Sequence, residues 1–247
     1  MPQNIPHLVA HRGFMKEFPE NTRLSIAQAI RQGAHFVEFD VQCTKDHQLV
    51  VIHDDTLERT TDSSGAVNEM AFAVMEHVSA HEPKRFGEQF KGESLVTLKQ
   101  MMETIKQSAA VHVFVEIKEE CLNFFGHEHI MDYLLDELLP HQEYCTIISF
   151  DEKAIEIAQS RSWSVGWVIH QYDDSHYHRA RQLNPEYLIC NHQKLDLNNP
   201  PWPGPWQWML YDITDAALAL EYAQRGVNFI ETEDIGAMLK DPLLHRT

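Results

Sequence analysis

The chain has 247 residues, 43% of them hydrophobic, enough to bury one sizeable core, and one α/β barrel domain fits that length without a linker. Its formal net charge of −17 and pI near 5.3 exclude a general polyanion binder, because no basic stripe exists to neutralise a phosphate backbone, and nucleic acid is not an expected partner. An acidic protein can still act on an anionic substrate where a bound cation and a few local Lys or Arg residues reverse the field inside a pocket.

The N-terminal stretch Met1 to His7 lacks a basic segment followed by an apolar run, so no secretory leader is expected. A first strand over 8–10 leads to Asn21 and Thr22, either of which can cap a helix over 22–32. A second strand over 36–42 is followed by Thr44-Lys45-Asp46-His47, which suits a tight turn, and by a run over 49–52 that should pair back as a hairpin. From about 55 to 96 strand signals are few, and the span exceeds an ordinary strand-to-helix loop, which predicts a small inserted lid. Further strands follow over 111–117, 145–150, 164–169, 186–191, 206–211 and 228–232, with helices over 98–107, 129–139, 152–161 and 215–225. Eight such strands with helical returns predict a closed TIM (β/α)8 barrel across residues 1–247, with its chemistry at the carboxyl ends of the strands. The Pro-rich run at 200–206 precedes a strand and falls at the other end, so its Trp residues are expected to pack. Cys43, Cys121, Cys145 and Cys190 have no paired short spacing and read as reduced thiols. No stretch is long and apolar enough to span a bilayer, and cytoplasmic residence without membrane insertion is the expectation.

Alternation on the second strand turns Glu38, Asp40 and Gln42 to one face and Val37, Phe39 and Val41 to the other. Two carboxylates then share one small volume, where one would take up a proton unless a hard divalent cation with oxygen ligands removed the conflict. The same alternation over 111–117 groups Phe114, Glu116 and Lys118, so Glu116 could supply a third carboxylate with Lys118 beside it. Any one of these acids alone is more often a solvated strand end or a partner of Arg or Lys; three at the ends of two strands weaken that reading. His11 ends the first strand and His53 ends the hairpin, both at the carboxyl edge, and two imidazoles near neutral pH let one ring accept a proton while the other donates. Arg12 offers a planar fork for two phosphate oxygens, with Gly13 leaving room for close approach, although an Arg alone is more often a surface salt-bridge residue. Most of the 16 His must be incidental, among them His7, His35, His77, His81, His127, His141 and His176. Gly126-His127-Glu128-His129 could bind a metal but sits outside any strand end.

His-Arg-Gly at 11–13, Pro-Glu-Asn-Thr at 19–22, Glu-Phe-Asp-Val at 38–41, Thr-Lys-Asp at 44–46 and His-Asp-Asp-Thr-Leu-Glu-Arg-Thr at 53–60 come in one order. In that order they resemble the glycerophosphodiester phosphodiesterase family, and its short cytosolic bacterial members in particular. Val115-Glu116-Ile117-Lys118, Ser149-Phe150, Asn191-His192 and Gly226-Val227 keep the register, so the resemblance runs over nearly the whole chain. It implies a TIM barrel with a small insertion after the second strand, and one divalent cation, Mg²⁺ or Ca²⁺, on Glu38, Asp40 and Glu116. It also implies His11 and His53 as the acid/base pair, with Arg12 and Lys118 on the substrate phosphate. The implied activity is hydrolysis of small-molecule glycerophosphodiesters to glycerol 3-phosphate and an alcohol, the glycerol 2-hydroxyl attacking phosphorus to give a cyclic phosphate that water opens.

Three places depart from the family pattern. Val96-Thr97-Leu98 stands where Pro-Thr-Leu is usual, Tyr211-Asp212-Ile213-Thr214 where Thr-Val-Asn is common, and Glu231-Thr232-Glu233 where an apolar-Thr-Asp triplet is common. The last two bear on contacts to the glycerol and alcohol, and Glu231 faces either the barrel or a helix. Two other readings belong to different classes. A metal-dependent barrel lyase or aldolase needs a Schiff-base or proton-abstracting Lys, or a single base, instead of two His beside an Arg. A catalytically silent binding protein on the same scaffold is disfavoured by the intact His11 and His53.

Overall fold

Short apolar runs alternating with amphipathic segments close into a TIM barrel. The computed structural model describes residues 4–107, 111–197 and 199–245; Met1 to Gln3, part of the stretch read for a leader, lie outside them. The strands are β1 (His7–Ala10), β2 (Phe36–Cys43), β3 (Leu49–Val51), β4 (His112–Ile117), β5 (Cys145–Ser149), β6 (Val165–Val168), β7 (Tyr187–Asn191), β8 (Gln207–Tyr211) and β9 (Val227–Thr232). All except β3 pair in parallel, and β1 closes the ring by pairing with both β9 and β2. The hairpin strand β3 runs antiparallel to β2, with Val41 opposite Val51.

The helices are α1 (Arg23–Gln32), α2 (Phe72–Met75), α3 (Pro83–Phe86), α4 (Leu98–Lys106), α5 (Glu119–Phe125), α6 (His127–Leu138), α7 (Glu152–Ser160), α8 (Asp174–Leu183), α9 (Ala216–Gln224) and α10 (Ile235–Lys240). Local chemistry sets their ends. The Thr22 hydroxyl accepts the Ser25 N–H at 3.1 Å to start α1, and Gly33 at φ 104° stops it. Thr97 and Gln100 form a capping box on α4, and Asp151, Asp173 and Asp215 cap α7, α8 and α9. Sequence periodicity misses α5, α8 and α10. In α8 only Ala180 and Leu183 are buried, too few for an apolar stripe to show.

Between β7 and β8 the described residues hold a single 3₁₀ turn, His192–Lys194, and then turns, bends and irregular chain. Trp206 is buried in the outer core, Trp202 stacks on Tyr172 at 3.9 Å, and the Trp208 Nε1–H donates to the Trp202 carbonyl at 3.0 Å. These rings cover the outer barrel where a crossover helix would sit, so the Trp residues do pack. Inside the barrel, Phe36, Phe114, Tyr187 and Phe229 cluster, with edge-to-face pairs whose centroids are 5.1 Å apart for Phe36–Phe229 and for Phe114–Tyr187. They form an apolar floor one strand period below Glu38, Glu116 and Glu231.

The segment 55–96 has its own small core of Leu57, Val67, Met75, Ala80 and Leu95 packed on Val50 and Ile52 of the hairpin. It is pinned by isolated bridges at Thr56–Ala66 and Ser79–Ser94. All four cysteines are buried and free. Among the described residues no helix is long and apolar enough to cross a membrane.

Candidate active site

Strand register brings the acids together. Asp40 on β2 lies opposite Glu116 on β4, and one oxygen from each of Glu38, Asp40 and Glu116 falls within 4.8 Å of the others. Glu38 and Asp40 are each 1% exposed. Glu231, whose direction the sequence leaves open, faces the barrel: with Glu38 and His11 it makes a second group within 4.8 Å.

Arg12 ties the acids to the first loop. Its backbone sits at φ 51° and its N–H donates to Glu38 Oε2 at 2.9 Å, while its Nη1 donates to Glu20 Oε1 at 2.9 Å. Its Nε lies 3.1 Å from Asp40 Oδ2, close enough for an ion pair but off line for a hydrogen bond. Gly13, expected to admit a phosphate, serves another purpose. It lies at φ +82°, and a Cβ there would sit 2.5 Å from Ser25 Oγ and 2.7 Å from the Ile26 nitrogen, so the absent side chain makes room for α1. Asn21, also read as a possible cap, instead grips Asp40 from both sides: its Nδ2 donates to Oδ2 at 2.8 Å and its Oδ1 accepts the Asp40 N–H at 3.1 Å. Lys118 donates to Glu116 Oε1 at 2.6 Å and lies 3.4 Å from Asp40 Oδ1.

His53 is held through Asp54, whose Oδ1 is 2.7 Å from His53 Nδ1. Arg59 reaches across from the inserted segment and donates to both oxygens of Asp54, at 2.7 and 2.8 Å, and to both of Glu20, also at 2.7 and 2.8 Å. A chain of ions thus joins His53 to Arg12. His11 Nδ1 lies 3.7 Å from Asp212 Oδ1, beyond hydrogen-bond reach.

Burial and charge divide these groups. Burial, with Arg12 adding to it, pushes the His11 imidazole down to about 3, so the ring is neutral. Against burial, which raises it, Arg12 and Lys118 hold the Asp40 carboxyl well below the usual range. Burial and then the neighbouring acids push Glu38 well above its ordinary value and Glu231 up to about 8. Glu38 Oε1 and Glu231 Oε1 are buried without a hydrogen-bond partner. Hard oxygen donors gathered this tightly, with orphaned atoms among them, fit a divalent cation of the Mg²⁺ or Ca²⁺ kind. Lys118 is raised by Asp40 and Glu116 against the lowering effect of burial, so it stays charged and is unsuited to Schiff-base chemistry.

These groups open on a cavity of about 130 Å³ at the carboxyl ends of the strands. His11, Arg12, His53, Glu116 and Lys118 line it on one side; Ile148, Phe150, Val168, Ile189, Tyr211, Asp212 and Glu231 complete it. Glu38 and Asp40 are buried next to it. None of 55–96 lines this cavity; the inserted segment reaches the site through Arg59 behind His53 and through Glu82, whose Oε1 accepts the Glu20 N–H at 2.6 Å, and the expected lid packs beside the site. All seven residues expected at the site, His11, Arg12, Glu38, Asp40, His53, Glu116 and Lys118, lie together at this end of the barrel; Glu20, Asp54 and Arg59, which residue type alone did not single out, stand within the quoted motifs and join them through hydrogen bonds.

Residues 11–174 match the glycerophosphoryl diester phosphodiesterase family. The chain is 40% identical over 121 residues to the glycerophosphodiester phosphodiesterase of Caldanaerobacter subterraneus subsp. tengcongensis and 33% identical over 121 residues to that of Bacillus altitudinis. Each match covers 49% of this chain and 49% of the relative, so the chain spans about half the length of the curated relatives it matches. In fold it is similar to a phosphodiesterase of Oleispira antarctica, solved in complex with the product sn-glycerol-3-phosphate, at a TM-score of 0.83 and 24% identity over 95% of both chains. A glycerophosphodiester phosphodiesterase of Agrobacterium tumefaciens superposes at a TM-score of 0.75 and 22% identity, over 96% of this chain and 100% of that one. With its family motifs meeting at the mouth of one barrel and a family match running from just after β1 to the first residue of α8, the chain belongs to the glycerophosphoryl diester phosphodiesterase family.

Proposed function

We propose that the chain, acting as one unit over residues 1–247, hydrolyses glycerophosphodiesters to glycerol 3-phosphate and an alcohol. Glu38, Asp40 and Glu116 hold one divalent cation, Mg²⁺ or Ca²⁺, in this reading. The observation that carries it is the convergence of that carboxylate group with His11, His53, Arg12 and Lys118 on a single cavity. The names of the matched relatives and the glycerol phosphate product bound by the Oleispira neighbour support the substrate class.

When bound, the cation supplies Lewis-acid neutralisation of the phosphoryl oxygens. Lys118, at the rim, adds fixed positive charge for the phosphodiester, and Arg12 adds more while keeping Glu20 and Asp40 in place. His11, neutral through burial, takes the proton of the glycerol 2-hydroxyl as it attacks phosphorus. His53, anchored at Nδ1 by Asp54, delivers a proton from Nε2 to the departing alkoxide. The two rings exchange roles when water opens the cyclic phosphate. Because the chemistry uses only the glycerol phosphate half, broad tolerance of the alcohol follows, and Phe150, Tyr211 and Asp212, which also line the cavity, are available to contact it.

A coupled assay of glycerol 3-phosphate release over a panel of glycerophosphodiesters, with EDTA and with each metal restored, tests the reading. Release should vanish on chelation and in His11→Ala and His53→Ala. Undiminished release in both variants would refute the roles given to the two rings.

A further inference from the structure

The centre holds a buried carboxylate that the proposed chemistry does not use. Glu231 on β9 is 3% exposed, and its Oε1 has no hydrogen-bond partner. Glu38 Oε1, on the far side of β1, is buried and unpartnered too. An orphaned carboxylate oxygen away from water is unfavourable unless a cation or donor meets it. The fixed positive groups nearby are already engaged, Arg12 with Glu20 and Asp40, and Lys118 with Glu116 and Asp40. His11 presents an imidazole nitrogen within 4.8 Å of both orphaned acids, a separation that a cation with ligands at about 2.0–2.6 Å can bridge.

We infer that Glu38, Glu231 and His11 form a second position for a divalent cation, sharing Glu38 with the position on Glu38, Asp40 and Glu116. Two carboxylates and an imidazole suit a first-row transition ion better than Ca²⁺, which favours oxygen alone. A shared carboxylate is how paired cations are held about 3.5–4 Å apart. The consequence rests on the reading of His11 as proton acceptor. A cation on its ring withdraws the lone pair that takes the hydroxyl proton, so filling the second position slows turnover.

The test is Mn²⁺ uptake by the metal-stripped full chain, counted by equilibrium dialysis and elemental analysis, with electron paramagnetic resonance to detect a spin-coupled pair. Wild type should take up two equivalents and show the coupled spectrum; Glu231→Leu should take up one and lose it. Glu231→Gln keeps the side-chain shape and serves if the leucine variant does not fold. Turnover in wild type should fall as Mn²⁺ rises past the first equivalent, and the ratio of high-Mn²⁺ to low-Mn²⁺ rates should return towards one in the variants. One equivalent in wild type, unchanged in the variants, overturns the second position while leaving the proposed function standing. No uptake at all refutes the cation reading of the whole centre, and two equivalents without loss of rate overturn the inhibitory role.

Discussion

Truncating Arg59 tests whether the inserted segment serves the site through its ion network. Arg59→Ala removes four charge-assisted hydrogen bonds, two to Asp54 and two to Glu20. The Glu20 side chain is 2% exposed, and taking a partner from a buried charge costs about 3–5 kcal/mol when nothing replaces it. Glu20 keeps Arg12 at 2.9 Å, and Arg59 is itself 42% exposed, which lowers the expected loss to about 2–3 kcal/mol. For a chain of this size that is a fall in melting temperature of roughly 4–12 °C. Asp54 also loses the clamp that keeps it against His53, and a ring free to move from its productive geometry should lower kcat by about 10- to 100-fold, with a smaller change in KM. Arg59→Lys restores the charge but not the fork, and should recover only part of both losses. Calorimetry together with the glycerol 3-phosphate assay reads the two effects. If Arg59→Ala melts with wild type and turns over at the same rate, the network is not what holds His53.

Three further outcomes are expected. Gly13→Ala forces an L-residue to φ +82° and sets its Cβ 2.5–2.7 Å from atoms of α1, so it should destabilise by about 2–5 kcal/mol; an unchanged urea midpoint would refute that reading. Asn21→Gly keeps the backbone φ of 57° accessible but removes both hydrogen bonds to Asp40, and divalent-cation affinity measured by calorimetric titration should weaken about 10- to 100-fold. Asp54→Asn should cut kcat by about 10²- to 10⁴-fold by altering the tautomer and orientation of His53. Hydrogen bonds from Arg59, and then the pull of His53 against burial, depress the Asp54 carboxyl from 3.8 to about 2. A depressed folded value means stability that is present above 3.8 and lost as pH falls through about 2. The melting gap between wild type and Asp54→Asn should therefore hold at neutral pH and close across that acid window; a gap that widens on acidification would contradict the assignment.

The legible parts were those governed by short-range rules. Strand alternation is local, so Glu38, Asp40, Glu116 and Lys118 could be sorted to one face before any fold was known. Helices with an apolar stripe, such as α4 and α7, were found, whereas α8 buries too little to leave a stripe. Asn21 shows why a residue type underdetermines a role. An Asn before a helix reads as a cap, yet Thr22 takes the cap and Asn21 reaches Asp40. The partners of Glu20 lie at Arg12 and Arg59, eight and 39 residues away, and no periodicity links them.

By itself the sequence determined the barrel, its hairpin and insertion, and which acids share a strand face, because strand period, turn chemistry and motif order are properties of neighbouring residues. Only the tertiary structure decided which way Glu231 points, what Gly13 makes room for, and how Arg59 ties the insertion to His53. In a parallel barrel both faces of a strand are buried, so apolar alternation cannot tell inside from outside. Closure of β9 onto β1 carries Glu231 to His11 and Glu38, residues that are neighbours only once the ring is complete.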